Sequence, residues 1–212
     1  MDAGLRRSLE ERIHAGGARG RLSREDGLAL FAADDLAWLG GLAHRVRTRE
    51  HGDAAYFGPT GDGAGDGAAD GAAYELRFTG PEECVEELLR LRERQSAGAD
   101  GGVRVLVPRC EEVTGAEALR VFAGCRLLLD NVPHLRVLWT AHGEQLAQLA
   151  LQYGADDTDG PDAAAGLDHE ALVATLRDAG LRPVERDVRF AVLREFPGPD
   201  PQLRESPQPM RI

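Results

Sequence analysis

Two hydrophobic periods alternate along this chain, and the places where one gives way to the other mark out its elements. In the first quarter, apolar residues recur every three to four positions. Leu28, Leu30 and Phe31 supply the apolar face of a short helix, and Ser23 with Asp26 ahead of it resembles a capping box that satisfies orphan N–H groups. A second helix is predicted over about residues 35–50, carrying Leu36, Leu39, Leu42, Ala43 and Val46 at helical spacing, with Asp34 as its cap. Arg45, Arg47 and Arg49 suit the negative end of its dipole, and Gly52 closes it. The period then shortens, and Ala54–Phe57 reads as a strand.

Gly58 to Ala73 (GPTGDGAGDGAADGAA) breaks the pattern with six Gly, five Ala and three Asp. No apolar periodicity survives there, so it reads as a flexible linker. Asp62, Asp66 and Asp70 recur every four residues, but a calcium loop needs ligands at alternate positions and a closing bidentate carboxylate. Beyond the linker, strand and helix alternate. Strands are predicted at Tyr74–Phe78, Val103–Val107, Leu135–Trp139 and Pro183–Leu193. Helices are predicted from Pro81, from Thr114 (a capping box with Glu117) to about Leu129, over Glu144–Tyr153 up to Gly154, and from Asp168 to Gly180. Alternation of this kind implies parallel pairing and an α/β layer architecture. From Phe196 onward, five prolines in 17 residues predict a disordered tail.

Composition narrows the function classes. With 212 residues and 42% hydrophobic content, the chain can bury a core. A formal net charge of −11 argues against a nucleic-acid or anionic-membrane partner. No stretch approaches about twenty apolar residues, so no membrane span is expected. The charged N-terminus has no apolar core of a signal peptide, and three widely spaced cysteines, Cys84, Cys110 and Cys125, fit a reducing cytoplasm. Those cysteines read as free, mostly buried thiols, with a metal site as the alternative.

Five colinear stretches carry a family resemblance. They are RLSREDGLALFAADDLAWLGGLAHRVRTREHGDAAYF (Arg21–Phe57), ECVEELLRLRERQ (Glu83–Gln95), RLLLDNVPHLRVLW (Arg126–Trp139), GEQLAQLALQYGADDTDG (Gly143–Gly160) and EALVATLRDAGLRPVERD (Glu170–Asp187). Together they resemble the radical S-adenosylmethionine enzymes of futalosine-dependent menaquinone synthesis, of the aminofutalosine synthase type. That resemblance implies a (β/α)8-type barrel and a [4Fe-4S] cluster held by a C-x3-C-x2-C loop after the first barrel strand. It also implies a 5′-deoxyadenosyl radical, made from S-adenosylmethionine, that adds to a carboxyvinyl-oxybenzoate. Three thiolates are indispensable to that chemistry.

The chain departs from the family at the places that matter most. No C-x3-C-x2-C occurs in it. After Phe57 the Gly/Asp/Ala run stands where the resemblance implies a cluster loop and several strands. GPDAAAG (Gly160–Gly166) replaces a His- and Gly-containing active-site loop, and Thr79-Gly80 replaces a Gly-His pair. The expected organisation is therefore an N-terminal helical segment (1–57), a linker in place of the radical core (58–73), a C-terminal half-barrel (74–195) and a tail (196–212). The fold class is α/β, an incomplete barrel of four or five strands with helices outside.

The polar residues that survive are vestigial substrate-facing candidates: Arg126, Asp130, Asn131, Trp139, His142, Asp156, Asp157 and, beside them, Asp159. Each also has a plain structural role. Asp130-Asn131 before Pro133 reads as a turn. Asp156, Asp157 and Asp159 read as a solvated loop after Gly154. Trp139 reads as core at a strand end, and His142 as a surface residue at a helix start. No catalytic residue or metal ligand set is assigned, and no cofactor is expected in this chain. Two functions remain open. One is a non-catalytic remnant or scaffold linked to menaquinone synthesis. The other is an enzyme that transfers the 5′-deoxyadenosyl group with a cluster supplied by a partner chain. Missing strands would uncover Val105, Val107, Val137 and Trp139 and favour a homo-oligomer or a complex with a full-length relative.

Overall fold

A computed structural model describes residues 2–59, 73–98, 102–110, 113–161 and 167–199, though not the side chains of 18 and 19. Most of the expected linker, residues 162–166 of the GPDAAAG loop and the tail from 200 lie outside the described residues.

Four helices open the chain: α1 (Ala3–Ala15), α2 (Gly17–Gly20), α3 (Arg24–Phe31) and α4 (Leu36–His51). The capping box of Ser23 and Asp26 is present in full at the head of α3. The same Asp26 carboxylate also takes two N–H bonds from Arg12, each 2.5 Å, which ties α1 to α3. The cap of α4 is Asp35, one residue later than the sequence suggested, with its Oδ1 accepting from Trp38 N at 2.9 Å. Gly52 ends α4 at φ 62°, a left-handed conformation that suits glycine.

The remaining elements are β1 (Ala54–Gly58), β2 (Ala73–Arg77), α5 (Pro81–Ser96), β3 (Val105–Arg109), α6 (Gly115–Leu128), β4 (His134–Val137) and the one-turn helix α7 (Trp139–His142). They continue with α8 (Glu144–Gln152), β5 (Asp157–Asp159), α9 (His169–Asp178), β6 (Arg182–Arg186) and β7 (Val192–Glu195). The strands form one seven-stranded sheet in the order β2-β3-β4-β5-β1-β6-β7. All pairs are parallel except β6–β7. This is the incomplete, mostly parallel α/β sheet that was expected, with more strands than the four or five predicted. One addition is β5, whose Asp-Thr-Asp sequence carries no apolar signal. The other comes from Pro183–Leu193, which is not one strand but spans most of a hairpin: β6, the turn and the start of β7.

Chain order and sheet order differ at one point. The N-terminal strand β1 lies between β5 and β6, so both of its edges are hydrogen-bonded. The unpaired margins of the sheet, among the described residues, are β2 and β7.

Strand residues alternate between two faces, and parallel partners point the same way. Leu76, Leu106, Leu135, Val137, Ala55 and Phe57 join the main core, packed with Leu39, Leu42, Val85, Leu88, Phe122 and Leu128 from the helices. Helix packing is close enough to require glycine at position 40, where a Cβ would sit 2.4 Å from the Tyr153 ring. The opposite face carries His134, Arg136, Asp157, Tyr56 and Arg186, together with Val105, Val107 and Val184. Val105, Val107, Val137 and Trp139, expected to be uncovered, are all buried, and Val137 faces the helices and not the side of Val105. Phe196, the first residue of the expected tail, packs against Phe57 and His169 with ring centroids at 5.9 and 5.5 Å.

Arg47 joins helix and sheet layers. It is fully buried on α4, and its guanidinium donates to the carbonyls of Gly52 (2.7 Å), Ala54 and Ala155 (3.4 Å). Those three oxygens flank the starts of β1 and β5. Arg47→Ala would leave them without their donor and open a cavity, at a cost of about 3 kcal/mol. Arg47→Lys should not recover it, because an ammonium lacks the planar fork. Urea unfolding of both variants measures this.

Candidate functional site

The polar residues singled out from the sequence fall into three places. Arg126 and Asp156 meet at the N-terminal rim of the sheet. Asp157 lies in the middle of the inner face. Asp159, Trp139 and His142 stand at the C-terminal rim, where barrels of parallel strands place their chemistry. Asp130 and Asn131 belong to none of these. They lie in a bend between α6 and β4, with Asp130 accepting from Arg21 Nε at 3.0 and 3.2 Å and Asn131 Nδ2 donating to Arg92 O at 2.9 Å.

The aspartates after Gly154 are not a solvated loop. Asp156 and Asp157 are fully buried and Asp159 nearly so. The chain there is a strand, and strand alternation sends Asp156 toward the helices and Asp157 to the inner face.

At the N-terminal rim, Asp156 Oδ1 accepts from Arg126 Nη2 and from Leu135 N at 2.8 Å, while Oδ2 accepts from His134 Nδ1 at 2.7 Å. His51 Nε2 lies 3.6 Å from Oδ1. Arg126 also donates to Gly154 O (2.8 Å), Pro133 O (3.3 Å) and Glu50 Oε2 (2.9 Å). Burial alone raises the Asp156 carboxyl, but Arg126, His134 and His51 overcome that and hold it at about 2. Burial pushes His51 down to about 4 against the pull of Asp156.

On the inner face, Asp157 sits between two buried guanidiniums. Arg186 donates to it from Nε at 2.8 Å and Nη2 at 2.9 Å, and Arg136 donates from Nε. Arg186 reaches Asp157 across β1. Gly58 leaves it the room, since a Cβ there would fall 3.2 Å from Arg186 Nη1 and 2.2 Å from Arg186 O. Phe190, in the β6–β7 turn, covers this cluster. It is held at φ 64°, uncommon for a bulky residue, stacks on His134 at 4.2 Å, and lies 4.5 Å from the Arg186 guanidinium carbon and 5.7 Å from that of Arg136.

At the C-terminal rim, Asp159 accepts from Trp139 N (2.8 Å), Thr140 N (3.3 Å) and Thr140 Oγ1 (2.6 Å), and so fastens α7. Trp139 Nε1 donates to Gly160 O at 3.1 Å. His142 Nδ1 lies 2.9 Å from Leu138 O, with its ring edge-on to Phe122. Farther along this rim a cleft of about 790 Å³ opens among Phe31, Phe78, Arg77, Arg109, Glu117 and Arg120.

The cysteines stand behind the sheet. Cys84 on α5 and Cys125 on α6 are buried, and Cys110 follows β3. Burial first, and Cys84 second, push the Cys110 thiol up to about 12, and burial also raises Cys125.

Sequence reasoning missed His51, His134, Arg136, Arg186 and Phe190. One signal was available: Arg136 breaks an otherwise apolar strand, Leu135–Trp139, and a charge there needs a partner.

Comparison with known proteins agrees with this architecture. Residues 100–198 match the CofH/MqnC C-terminal region. The aminodeoxyfutalosine synthase of Streptomyces coelicolor is 30% identical over 392 aligned positions, covering all of both chains. This chain has only 212 residues, so a large share of that relative has nothing opposite it. The aminodeoxyfutalosine synthase of Thermus thermophilus is 34% identical over 96 residues, 40% of this chain and 26% of its own. The crystal structure of HydG, a maturase of the [FeFe]-hydrogenase, superposes with a TM-score of 0.59 at 9% identity, over 87% of this chain and 79% of its own. That likeness concerns the fold alone.

Two acid transitions follow from the N-terminal rim. His51 has a folded pKa below its ordinary value, so its contribution is complete above about pH 6.5 and is lost as pH falls through about 4. Asp156 behaves likewise, complete above about pH 4 and lost as pH falls through about 2. Urea midpoints measured from pH 8 to 3 should fall from about pH 6.5 downward. In His51→Gln the slope between about pH 6.5 and 4 should be smaller by on the order of 3 kcal/mol across the window. An unchanged slope would mean that His51 is solvated.

Proposed function

The chain belongs to the aminodeoxyfutalosine synthase family, and we propose that it is a cluster-less member with no radical chemistry of its own, a remnant or scaffold tied to menaquinone synthesis. The observation that carries this reading is the placement of the cysteines. The sequence holds three, none spaced as C-x3-C-x2-C, and two are buried on the helices behind the sheet. On this reading a [4Fe-4S] cluster lacks the three-thiolate loop that would hold it, and S-adenosylmethionine lacks an iron to bind.

Two further observations support it. The long alignment with the Streptomyces coelicolor enzyme fits a chain that has lost internal length. At the C-terminal rim, Asp159 and Trp139 are occupied with each other and with backbone, a structural use of residues that could otherwise face a substrate. A scaffold of this kind would act through its sheet margins, on a second copy or a full-length relative. On β7, Val192 is 52% and Leu193 61% exposed.

Anaerobic reconstitution with iron and sulfide, followed by gel filtration, tests the reading. The expected result is no stoichiometric absorbance near about 400 nm and no 5′-deoxyadenosine from S-adenosylmethionine under reducing conditions. Sedimentation of the same sample should show association at micromolar concentration. A cluster in the chain that disappears in the Cys84→Ser, Cys110→Ser, Cys125→Ser triple variant would overturn the proposal. A cluster formed only with a partner chain present would replace it with the partner-dependent enzyme.

A further inference from the structure

Among the described residues, one group of side chains brings three metal-type donors within 4.8 Å of one another: His51, His134 and Asp156. They come from the end of α4, the start of β4 and the residue before β5. The group therefore lies on the N-terminal rim, away from Asp159, Trp139 and the C-terminal rim. Two imidazoles and one carboxylate are the donor set of many zinc sites, with a fourth position left to water.

We propose that His51 Nε2, His134 Nδ1 and Asp156 Oδ2 form a binding site for a divalent transition-metal ion of the zinc class.

The hydrogen bonding around Asp156 favours this division of labour. Its Oδ1 is already occupied by Arg126 and by Leu135 N, whereas Oδ2 is held by His134. A ligating carboxylate anchored through its second oxygen is a common way to fix a metal ligand. His134 Nδ1 and Oδ2, now hydrogen-bonded at 2.7 Å, need to part by only about 0.5 Å to reach the spacing of two donors on one tetrahedral ion. The two histidine rings are stacked, with centroids 5.3 Å apart, so they approach the carboxylate side by side.

The hydrogen bonds of the two rings are compatible with this as well. Carboxylate and carbonyl oxygens only accept, so without a metal His134 Nδ1 donates to Asp156 and His51 Nε2 donates to Pro133 O. On binding an ion, the ligating nitrogen of each ring gives up its proton. The Pro133 carbonyl keeps a donor in Arg126 Nη1 at 3.3 Å.

The site also has a way in. The side chains of His51 and His134 keep 8% and 14% of their surface, enough for an ion to reach them while Asp156 stays buried.

The test uses the full chain carrying no polyhistidine tag and stripped with chelator. Zn²⁺ is titrated in competition with a chromophoric chelator, and Co²⁺ is added as a spectroscopic probe. One equivalent should bind at micromolar affinity or tighter, with Co²⁺ giving ligand-field absorption between about 500 and 650 nm. His51→Gln and His134→Gln should each weaken Zn²⁺ binding at least about tenfold. The triple cysteine-to-serine variant should bind as the parent does. Zn²⁺ should raise the melting temperature of the parent but not of His51→Gln. His51→Gln keeps a donor for Pro133 O, so it decides the matter alone if His134→Gln does not fold. Absence of saturable binding below millimolar Zn²⁺ overturns the proposal. So does parental affinity in His51→Gln, or loss of binding in the cysteine variant.

Discussion

Asp157 and the two guanidiniums that hold it are the interaction on which the rest of the sheet depends. The three charged groups are buried on the inner face, and they come from three strands, β4, β5 and β6. Between β5 and β6 runs β1, so the Arg186 fork closes over the N-terminal strand and locks it into a sheet otherwise built from residues 73–195. Taking such charges out of water is costly, and the contacts offset that cost only while all are made. The arrangement therefore acts less as a source of net stability than as a condition on register. A slip of one residue in β5 would send Asp157 to the helices and leave Arg136 and Arg186 without it.

The same strand order closes the N-terminal strand on both sides. β1 has β5 on one side and β6 on the other, so neither of its edges is open. Among the described residues the open margins are β2 and β7. The inner face, which a full barrel would enclose, is covered in part by the β6–β7 turn, where Phe190 lies on His134 and over the arginines. Its positive φ is the kind of local strain that surrounding contacts must sustain. The inner face thus serves cohesion, while at the C-terminal rim Asp159 and Trp139 hold α7.

Much of the helix layer was legible in the sequence because its signals are local. Ser23 with Asp26, Thr114 with Glu117 and Asp168 each announce a helix start within four residues, and all three caps are present. The polar interior was not legible, for the opposite reason. Asp156 and Asp157 find Arg126, Arg136 and Arg186 some 20 to 30 residues away, with no periodicity linking them. A run of aspartates after a glycine is more often a solvated loop, and only the tertiary structure reveals its partners. Trp139 shows an intermediate case. Its burial followed from its size, but its place as the first residue of α7 depends on Asp159, twenty residues on.

A double-mutant cycle on Asp157 and Arg186, read by equilibrium unfolding in urea, tests this account most directly. Asp157→Asn and Arg186→Met alone should each destabilise the chain by about 3 kcal/mol, because each strands a buried partner. Together they should cost less than the sum by about 2 kcal/mol, with the urea dependence unchanged. Additive losses, or single variants as stable as the parent, would contradict the central role given to this pair.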